Sequence, residues 1–179
     1  MLPAARTRDE AHLYMDLSPC DCGEVDVTWH SALADEDGAL VRRYSGTCPG
    51  CGTAREFRFA APERPGLPGP DQPVYFGGDD ASQLLDPGEW LLVAELCAEA
   101  GSQPASGAAE RAEARESLAI AVAAIEEVLK FVPAGRDAVP DVAFWSARGR
   151  QVRDREPGRF ERRRLVLVRD AYQDALDRM

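Results

Sequence analysis

The amino-acid sequence predicts an α+β fold, with a three-stranded antiparallel sheet in the N-terminal third and about four helices after it. Two alternating segments on either side of an Asp-Gly pair indicate a hairpin, and a third alternating segment follows. Beyond a proline-rich stretch, apolar residues recur at helical spacing up to the C-terminus. We therefore expect the sheet within residues 1–60, a linker over 61–73 and a helical part over 74–179, with a flexible break at 101–107.

The composition limits the classes of function. The chain has 179 residues and a formal net charge of −10, from 31 Asp and Glu against 21 Lys and Arg. This charge argues against a general nucleic-acid coat and against binding to anionic membranes, because both need an overall positive field. No apolar run approaches the roughly 18 residues of a membrane-spanning helix, and the first 17 residues contain no apolar signal segment. We expect a soluble, cytoplasmic protein that contacts no membrane.

Four of the five cysteines form two close pairs, Cys20 with Cys22 and Cys48 with Cys51, and a glycine follows each pair. In a chain without an export signal, such pairs indicate metal ligands rather than disulfides. Tetrahedral Zn²⁺ takes four thiolates, which two tight turns can supply, and glycine accepts the positive φ that follows such a turn. The sequence therefore predicts one structural Zn²⁺ per chain with these four ligands. Cys97 is expected to be a small apolar residue on a helix face.

Two alternatives to coordination by four cysteines stay open at this point. The first pair has the spacing Cys-x-Cys rather than Cys-x-x-Cys, and this geometry could leave one ligand position to another side chain. The candidates are His30, Asp21 and Glu24. A redox role for the second pair is disfavoured because Cys51 leads through Gly52 into a strand, whereas a thioredoxin-like pair lies between a strand and a helix.

The residues around the cysteine pairs predict the sheet. Alternation over 25–30 indicates a first strand, 35–38 a turn and 40–44 a second strand, and residues 55–59 alternate again with both phenylalanines on one face. With two cysteine knuckles and three short strands, residues 17–60 resemble the zinc-ribbon superfamily. The resemblance implies a metal bound on a small antiparallel sheet. It implies no particular partner, since ribbons serve as structural, protein-binding and nucleic-acid-binding modules.

Start and stop signals predict the helices of the C-terminal part. Five prolines within 61–73 exclude a helix or a central strand there. Asp80 followed by Gln83 indicates a short helix start, and Asp-Pro-Gly-Glu from Asp86 indicates a clearer one. The helix that begins after Asp86 is expected to continue to about residue 100. Three more helices are expected after it: a long one over 108–132, a short one capped by Ser146 that runs through 155, and a final one from residue 157.

Arginine is concentrated near the C-terminus. Residues 148–179 hold ten arginines against six acidic residues, and every basic residue of the chain except Lys130 is arginine, a bias typical of GC-rich bacterial genomes. The candidate contacts for phosphate or another anion are Arg148, Arg150, Arg153, Arg162, Arg163 and Arg164. The alternative, which the acidic remainder of the chain favours, is pairing with the protein's own carboxylates, such as Asp154, Glu156 and Glu161.

Catalytic motifs are missing from the sequence, which contains no G-x-S-x-G, H-E-x-x-H, Walker loop or G-x-G-x-x-G. The leading hypothesis is a non-enzymatic zinc-binding protein that acts by binding another protein, as an immunity protein, an antitoxin or a regulator does. A nucleic-acid-associated protein that uses residues 148–164 is the first alternative, and the net charge disfavours it. The second is an enzyme with a carboxylate site in the helical part, for example at Asp79 and Asp80, where helix capping is the simpler explanation.

Overall fold

The computed structural model describes residues 2–62 and 74–179, so that most of the predicted linker lies outside the described residues. The α-helices are α1 (Arg8–Asp16), α2 (Pro87–Gly101), α3 (Ala108–Lys130), α4 (Ala147–Arg155) and α5 (Arg162–Asp177). The strands β1 (His30–Glu36), β2 (Ala39–Thr47) and β3 (Ala54–Ala60) form an antiparallel sheet in the order β1-β2-β3. The α+β prediction is confirmed. The helix count is corrected to five in the described residues, since α1 precedes the sheet.

The described residues form two compact units. The sheet unit comprises residues 2–62, 76–78 and 82–84, and the helical unit comprises residues 74–75, 79–81 and 85–179. None of the helices in these residues combines the length and the apolar character needed to cross a bilayer.

The turn between β1 and β2 lies at Asp37 and Gly38, whose φ angles are 54° and 80°. A two-residue turn with positive φ at both positions follows the twist of paired strands, which explains why Asp-Gly is a hairpin signal. Asp35 supports the turn by accepting a hydrogen bond from the Gly38 N–H at 3.0 Å. The predicted third strand is confirmed as β3, which pairs antiparallel with β2.

Strand β1 begins at His30, later than the alternation of apolar residues predicts. The Glu24 carboxylate accepts hydrogen bonds from the N–H groups of Val25 and Asp26, both at 2.9 Å. The Val27 N–H donates to the Val25 carbonyl, also at 2.9 Å. Because these backbone donors are used locally, residues 25–29 do not join the sheet, and the predicted position of the first strand, over 25–30, was wrong.

Helix α1 packs on one face of the sheet through aromatic rings. His12 meets Tyr44 edge-on with ring centroids 5.4 Å apart, and Tyr14 meets Phe57 and Phe59 in the same manner. As predicted, Phe57 and Phe59 share a face of β3, and their rings stack with centroids 6.3 Å apart. The core of the sheet unit therefore lies between α1 and the sheet.

A buried carboxylate holds the residues that precede α2. Glu10 in α1 is fully buried and accepts hydrogen bonds from the Arg6 guanidinium at 2.7 Å and from the Ser82 hydroxyl at 2.6 Å. The Leu84 N–H donates to the Ser82 hydroxyl oxygen at 3.1 Å. Because these contacts fix the backbone here, the helix start predicted at Asp80 does not form, and that prediction was wrong.

Helix α2 begins at Pro87, as predicted. The Asp86 side chain accepts hydrogen bonds from the N–H groups of Gly88 and Glu89 at 2.9 and 3.1 Å, and the Glu89 carboxylate accepts one from the Asp86 N–H at 3.1 Å. This reciprocal pair is a capping box. The Asp86 carboxylate also accepts a hydrogen bond from the Ser146 N–H at 2.8 Å, so one buried side chain joins the starts of α2 and α4.

Helix α3 is central in the helical unit, since it packs against both α2 and α5, and α2 also packs against α4. Its inward residues Ile125 and Val128 are fully buried, as is Trp90 of α2. Helix α4 has the predicted Ser146 cap. Helix α5 begins at Arg162 rather than at residue 157, because Pro157–Phe160 form a 3₁₀ turn.

Candidate metal centre

The two cysteine pairs lie in tight turns that close with similar backbone hydrogen bonds. In the first turn the Gly23 N–H donates to the Cys20 carbonyl at 2.7 Å, and in the second the Gly52 N–H donates to the Cys48 carbonyl at 2.9 Å. The two glycines have φ angles of 92° and 75°, the positive values predicted for them. The Cys-x-Cys turn is one residue shorter than the Cys-x-x-Cys turn and still folds back on its first cysteine.

These turns bring four sulfur atoms together. All four Sγ atoms lie within 4.8 Å of one another. Cys20 Sγ is 3.6 Å from Cys51 Sγ, and Cys22 Sγ is 3.5 Å from Cys48 Sγ, so that each close pair joins one sulfur from each turn. Sulfurs at about 2.3 Å from a tetrahedral metal would lie about 3.8 Å apart, whereas a disulfide has a bond of about 2.05 Å. The arrangement of these free thiols therefore fits a metal ion at its centre.

The side chains considered as substitute ligands are not part of this cluster. In the described residues, the group of four cysteines includes none of Asp21, Glu24 and His30. The Glu24 carboxylate is instead used by backbone N–H groups. No sequence motif pointed to Thr53, whose hydroxyl lies 3.2 Å from Cys51 Sγ. Its position two residues after the last cysteine is the signal that could have identified it.

The four thiols have unequal surroundings. One cysteine of each turn is buried and the other is exposed. Hydrogen bonding with the side chain and the backbone of Thr53 lowers the pKa of the Cys51 thiol to about 6. At Cys22, a backbone hydrogen bond from Glu24 lowers the pKa, but the neighbouring thiols of the cluster outweigh it and raise the pKa to about 12. The cluster thus shares its protons unevenly, and a divalent cation that binds to it displaces them.

Arg55 of β3 supports the chain just before the first turn. Its Nη2 donates a hydrogen bond to the Ser18 carbonyl at 2.6 Å. The guanidinium carbon lies 5.8 Å from the ring centroid of Trp29 and 5.2 Å from that of Phe57, within the range of cation–π attraction. The segment that leads into Cys20 is therefore held against β3.

Several of the arginines proposed as anion contacts pair with carboxylates of the helical unit. Arg153 forms ion pairs with Asp141 at 2.7 Å and with Asp154 at 3.0 Å. Arg164 forms an ion pair with Glu156 at 2.5 Å. Two of the three acidic residues expected to pair internally therefore do so.

The other arginines of that set have varied surroundings. Arg162 donates to backbone carbonyls just beyond the end of α3, the nearest at 2.9 Å, where its charge also favours the helix dipole. Arg150 donates to a carbonyl before α4 at 2.7 Å. Arg148 interacts electrostatically with the Glu89 carboxylate, and Arg163 is exposed on α5. The contacts of Arg148, Arg150 and Arg162 are therefore made within the helical unit.

The acidic pair considered for a carboxylate site does not lie in a ligand cluster. Asp79 and Asp80 are both exposed. Within residues 2–62 and 74–179, the fold brings three or more metal-ligating side chains together at the four cysteines and at no other place. The structure therefore lends no support to metal binding at this pair.

No protein-family model, no curated protein and no solved structure matches the chain in comparisons with known proteins. The argument for a function therefore starts from the geometry of the four thiols.

Proposed function

We propose that this chain is a zinc-binding protein in which one Zn²⁺, coordinated by Cys20, Cys22, Cys48 and Cys51, stabilises a zinc-ribbon module. The observation that carries the proposal is the spacing of the sulfurs, which is 3.5 and 3.6 Å for the two close pairs. A tetrahedral set of four thiolates favours zinc or iron–sulfur chemistry, and zinc is the usual ion where two cysteine turns meet on a small sheet.

The role of the metal in this proposal is structural. Four thiolates complete the tetrahedron and leave no position for a water molecule or a substrate. A module as small as the sheet unit buries little apolar surface, and metal binding then contributes much of its folding free energy. The ion therefore stabilises the module, and no reaction is assigned to it.

Metal analysis of the purified chain tests this assignment. We expect inductively coupled plasma mass spectrometry to find about one zinc per chain, and we expect the Cys48→Ser variant to lose that zinc. Cys97→Ser is the matched control, because Cys97 is a free thiol outside the cluster. Co²⁺ added in place of zinc should give the visible absorption of tetrahedral thiolate coordination. Equal zinc contents in the two variants would contradict the assignment, and stoichiometric iron would contradict zinc as the metal.

The activity that we propose is binding to another protein in a reducing, cytoplasmic compartment, in an immunity, antitoxin or regulatory role. The net charge of −10 favours a partner with a basic surface. Large apolar side chains are exposed on the helical unit, including Val142, Trp145 and Leu167, and interfaces commonly cover such side chains. Zinc coordination needs reduced cysteines, and a reducing compartment keeps cysteines reduced.

Copurification with a tagged chain tests the partner. We expect one protein to be retained in a fixed ratio at low salt and to be released as the ionic strength rises, because exposed charges are screened. Recovery of the chain alone at every ionic strength would contradict this part of the proposal and would leave the metal centre unaffected.

Nucleic-acid binding has weaker support than protein binding. The arginines that would contact phosphate donate instead to the protein's own carboxylates and carbonyls, as at Arg153 and Arg162. A salt-sensitive shift of DNA or RNA at low ionic strength would reverse this ranking.

A further inference from the structure

Strand β1 has one edge without a strand partner among residues 2–62 and 74–179. It pairs with β2 alone, since the sheet order is β1-β2-β3. The opposite edge of the sheet is paired at its end, because the Ala60 N–H of β3 donates to the Pro3 carbonyl at 3.0 Å and Ala60 forms a parallel bridge with Ala4. The edge of β1 therefore presents backbone donors and acceptors with which a further strand can pair.

The side chains of β1 protect this edge only at its end. Natural sheets block free edges with charged residues, above all lysine, and with proline or a bulge. The sequence of β1, His-Ser-Ala-Leu-Ala-Asp-Glu, contains neither lysine nor proline, and its two carboxylates are confined to the last two positions. Leu33 at its centre is 53 % exposed. A large apolar side chain in the unprotected middle of an edge strand indicates an interaction surface.

We propose that β1 pairs antiparallel with β1 of a second copy of this chain, around a twofold axis through Leu33. The strand's own sequence identifies the occupant. In this register Leu33 faces Leu33 of the second copy, and Ala32 faces Ala34 of the second copy. Apolar side chains directly opposite each other stabilise an antiparallel pair, and the two leucines cover each other.

The polar residues at the ends of β1 are complementary in the same register. Ser31 faces Asp35 of the second copy, which sets a hydroxyl donor opposite a carboxylate. His30 faces Glu36 of the second copy, which sets a protonatable imidazole opposite an anion. Glu36 already belongs to an ion pair with Arg58, which holds its carboxylate in place. The twofold axis produces each of these pairs twice.

Other twofold registers give poorer pairs. Side chains that face each other across an antiparallel pair lie on the same side of the sheet. A twofold axis perpendicular to the sheet must therefore lie midway between the two copies of one residue. With the axis at Ala32, Ser31 would face Leu33. With the axis at Ala34, Leu33 would face Asp35. Both arrangements set a polar group opposite the leucine, and of these three registers the one with the axis at Leu33 matches apolar with apolar and donor with acceptor.

The expected strength follows from the size of the contact. Pairing of one short strand from each copy buries less than the roughly 1,200 Å² of a standard interface. The dimer is therefore reversible, and its population depends on the protein concentration. It contains a continuous sheet of six strands and hides the free edge of both copies.

Sedimentation analysis of the metal-loaded chain over a range of concentrations tests the dimer. We expect the mass to rise from the 19.5 kDa of one chain toward twice that value. Leu33→Lys should raise the dissociation constant by about tenfold or more, because like charges then face each other at the axis. Far-UV circular dichroism verifies that each variant is folded.

Leu40→Lys is the matched control for this variant. Leu40 is also 53 % exposed and lies on the same face of the sheet as Leu33, but in β2 rather than at the edge. The Leu40→Lys variant should dimerise as the wild type does. A mass of one chain at every concentration, or equal effects of the two substitutions, would overturn the proposal. So would capture of a different protein that Leu33→Lys abolishes while the pure chain stays monomeric.

Disulfide cross-linking tests the register. Facing Cα atoms in an antiparallel pair are about 4.5–5.5 Å apart, within the range for a disulfide, so Leu33→Cys should link two copies through residue 33 when glutathione disulfide is added. In Ser31→Cys the two new thiols would be offset by four residues, about 14 Å along the strands, and should link far more slowly. Equal rates would overturn the axis at Leu33, and peptide mapping identifies the linked residues.

Discussion

The two units of this protein keep their folds in different ways. In the sheet unit, two tight turns hold four thiols within 4.8 Å of one another, and one layer of aromatic rings lies between α1 and the sheet. In the helical unit, α3 lies against α2 and α5 and buries Ile125 and Val128 completely. Under the proposed function, the first unit depends on a bound metal for its stability, whereas the second depends on apolar packing.

Removal of the metal is expected to have the largest effect. Structural zinc contributes about 10–16 kcal/mol in small metal-dependent domains, which is comparable with the whole stability of a typical domain, about 5–15 kcal/mol. A strong chelator should therefore unfold the sheet unit and leave the helical unit folded. Hydrogen exchange with mass spectrometry should show loss of protection in β2 and β3 and retained protection in α2 and α3.

Cysteine variants separate metal loss from side effects of the chelator. Cys48→Ser should give the same exchange pattern without chelator, and Cys97→Ser should behave as the wild type. If α2 and α3 lose protection together with β2 and β3, the contrast between a metal-dependent and a metal-independent unit is wrong.

The converse experiment removes packing from the helical unit. Ile125→Ala should lower the free energy of unfolding by about 2–5 kcal/mol, because a fully buried side chain leaves a cavity. Leu167→Ala, at an exposed position of α5, is the control and should change it by less than about 0.5 kcal/mol. Urea unfolding monitored by far-UV circular dichroism measures both changes. The zinc content of both variants should equal that of the wild type. Loss of zinc in Ile125→Ala would show that the units are not independent in stability.

Local signals made part of this structure predictable. The cysteine spacing, the Asp37-Gly38 turn and the Asp86 cap each act over a few residues, and each lies where the sequence predicts it. Asp80 carries a similar cap pattern, but the Ser82 hydroxyl bonds to Glu10, 72 residues away in the sequence. No local pattern contains that contact.

Two further features of the structure differ from the prediction, for different reasons. Helix α1 was not predicted although the sequence carries a signal for it: Thr7 and Glu10 have the spacing of a capping box, and the Thr7 hydroxyl oxygen accepts a hydrogen bond from the Glu10 N–H. The position of β1 was harder to predict, because Glu24 accepts hydrogen bonds from the backbone of a segment whose sequence alternates like a strand. Side-chain capture of backbone donors is decided by geometry that a residue pattern does not contain.

The buried Asp86 gives a smaller test within the helical unit. Asp86→Ala removes the acceptor for the N–H groups of Gly88, Glu89 and Ser146 and should cost about 2–3 kcal/mol. Asp86→Asn keeps an acceptor at the cap and should cost less. Urea unfolding measures the two variants. Equal losses would show that hydrogen bonding by this side chain is not what stabilises the starts of α2 and α4.

The smallest expected effect concerns two glutamates at the same helix position. Glu89 and Glu110 are each the third residue of their helix, and each accepts a hydrogen bond from the backbone at the helix start. Burial raises the pKa of Glu89 above its ordinary value of 4.5, although a hydrogen bond from the Asp86 N–H opposes the shift. Glu110 is exposed, and hydrogen bonds from the Ser106 hydroxyl and N–H and from the Gly107 N–H lower its pKa below 4.5.

Opposite pKa shifts require opposite pH dependence of the unfolding free energy. The contribution of Glu110 is complete above its unfolded pKa and is lost as the pH falls through its lower folded pKa. The contribution of Glu89 is present below its unfolded pKa and is lost as the pH rises through its higher folded pKa. In thermal unfolding from about pH 7 to pH 3, the difference in Tm between wild type and Glu110→Gln should therefore narrow, whereas that between wild type and Glu89→Gln should shift in favour of the wild type. Parallel changes in the two variants would show that burial does not distinguish these two caps.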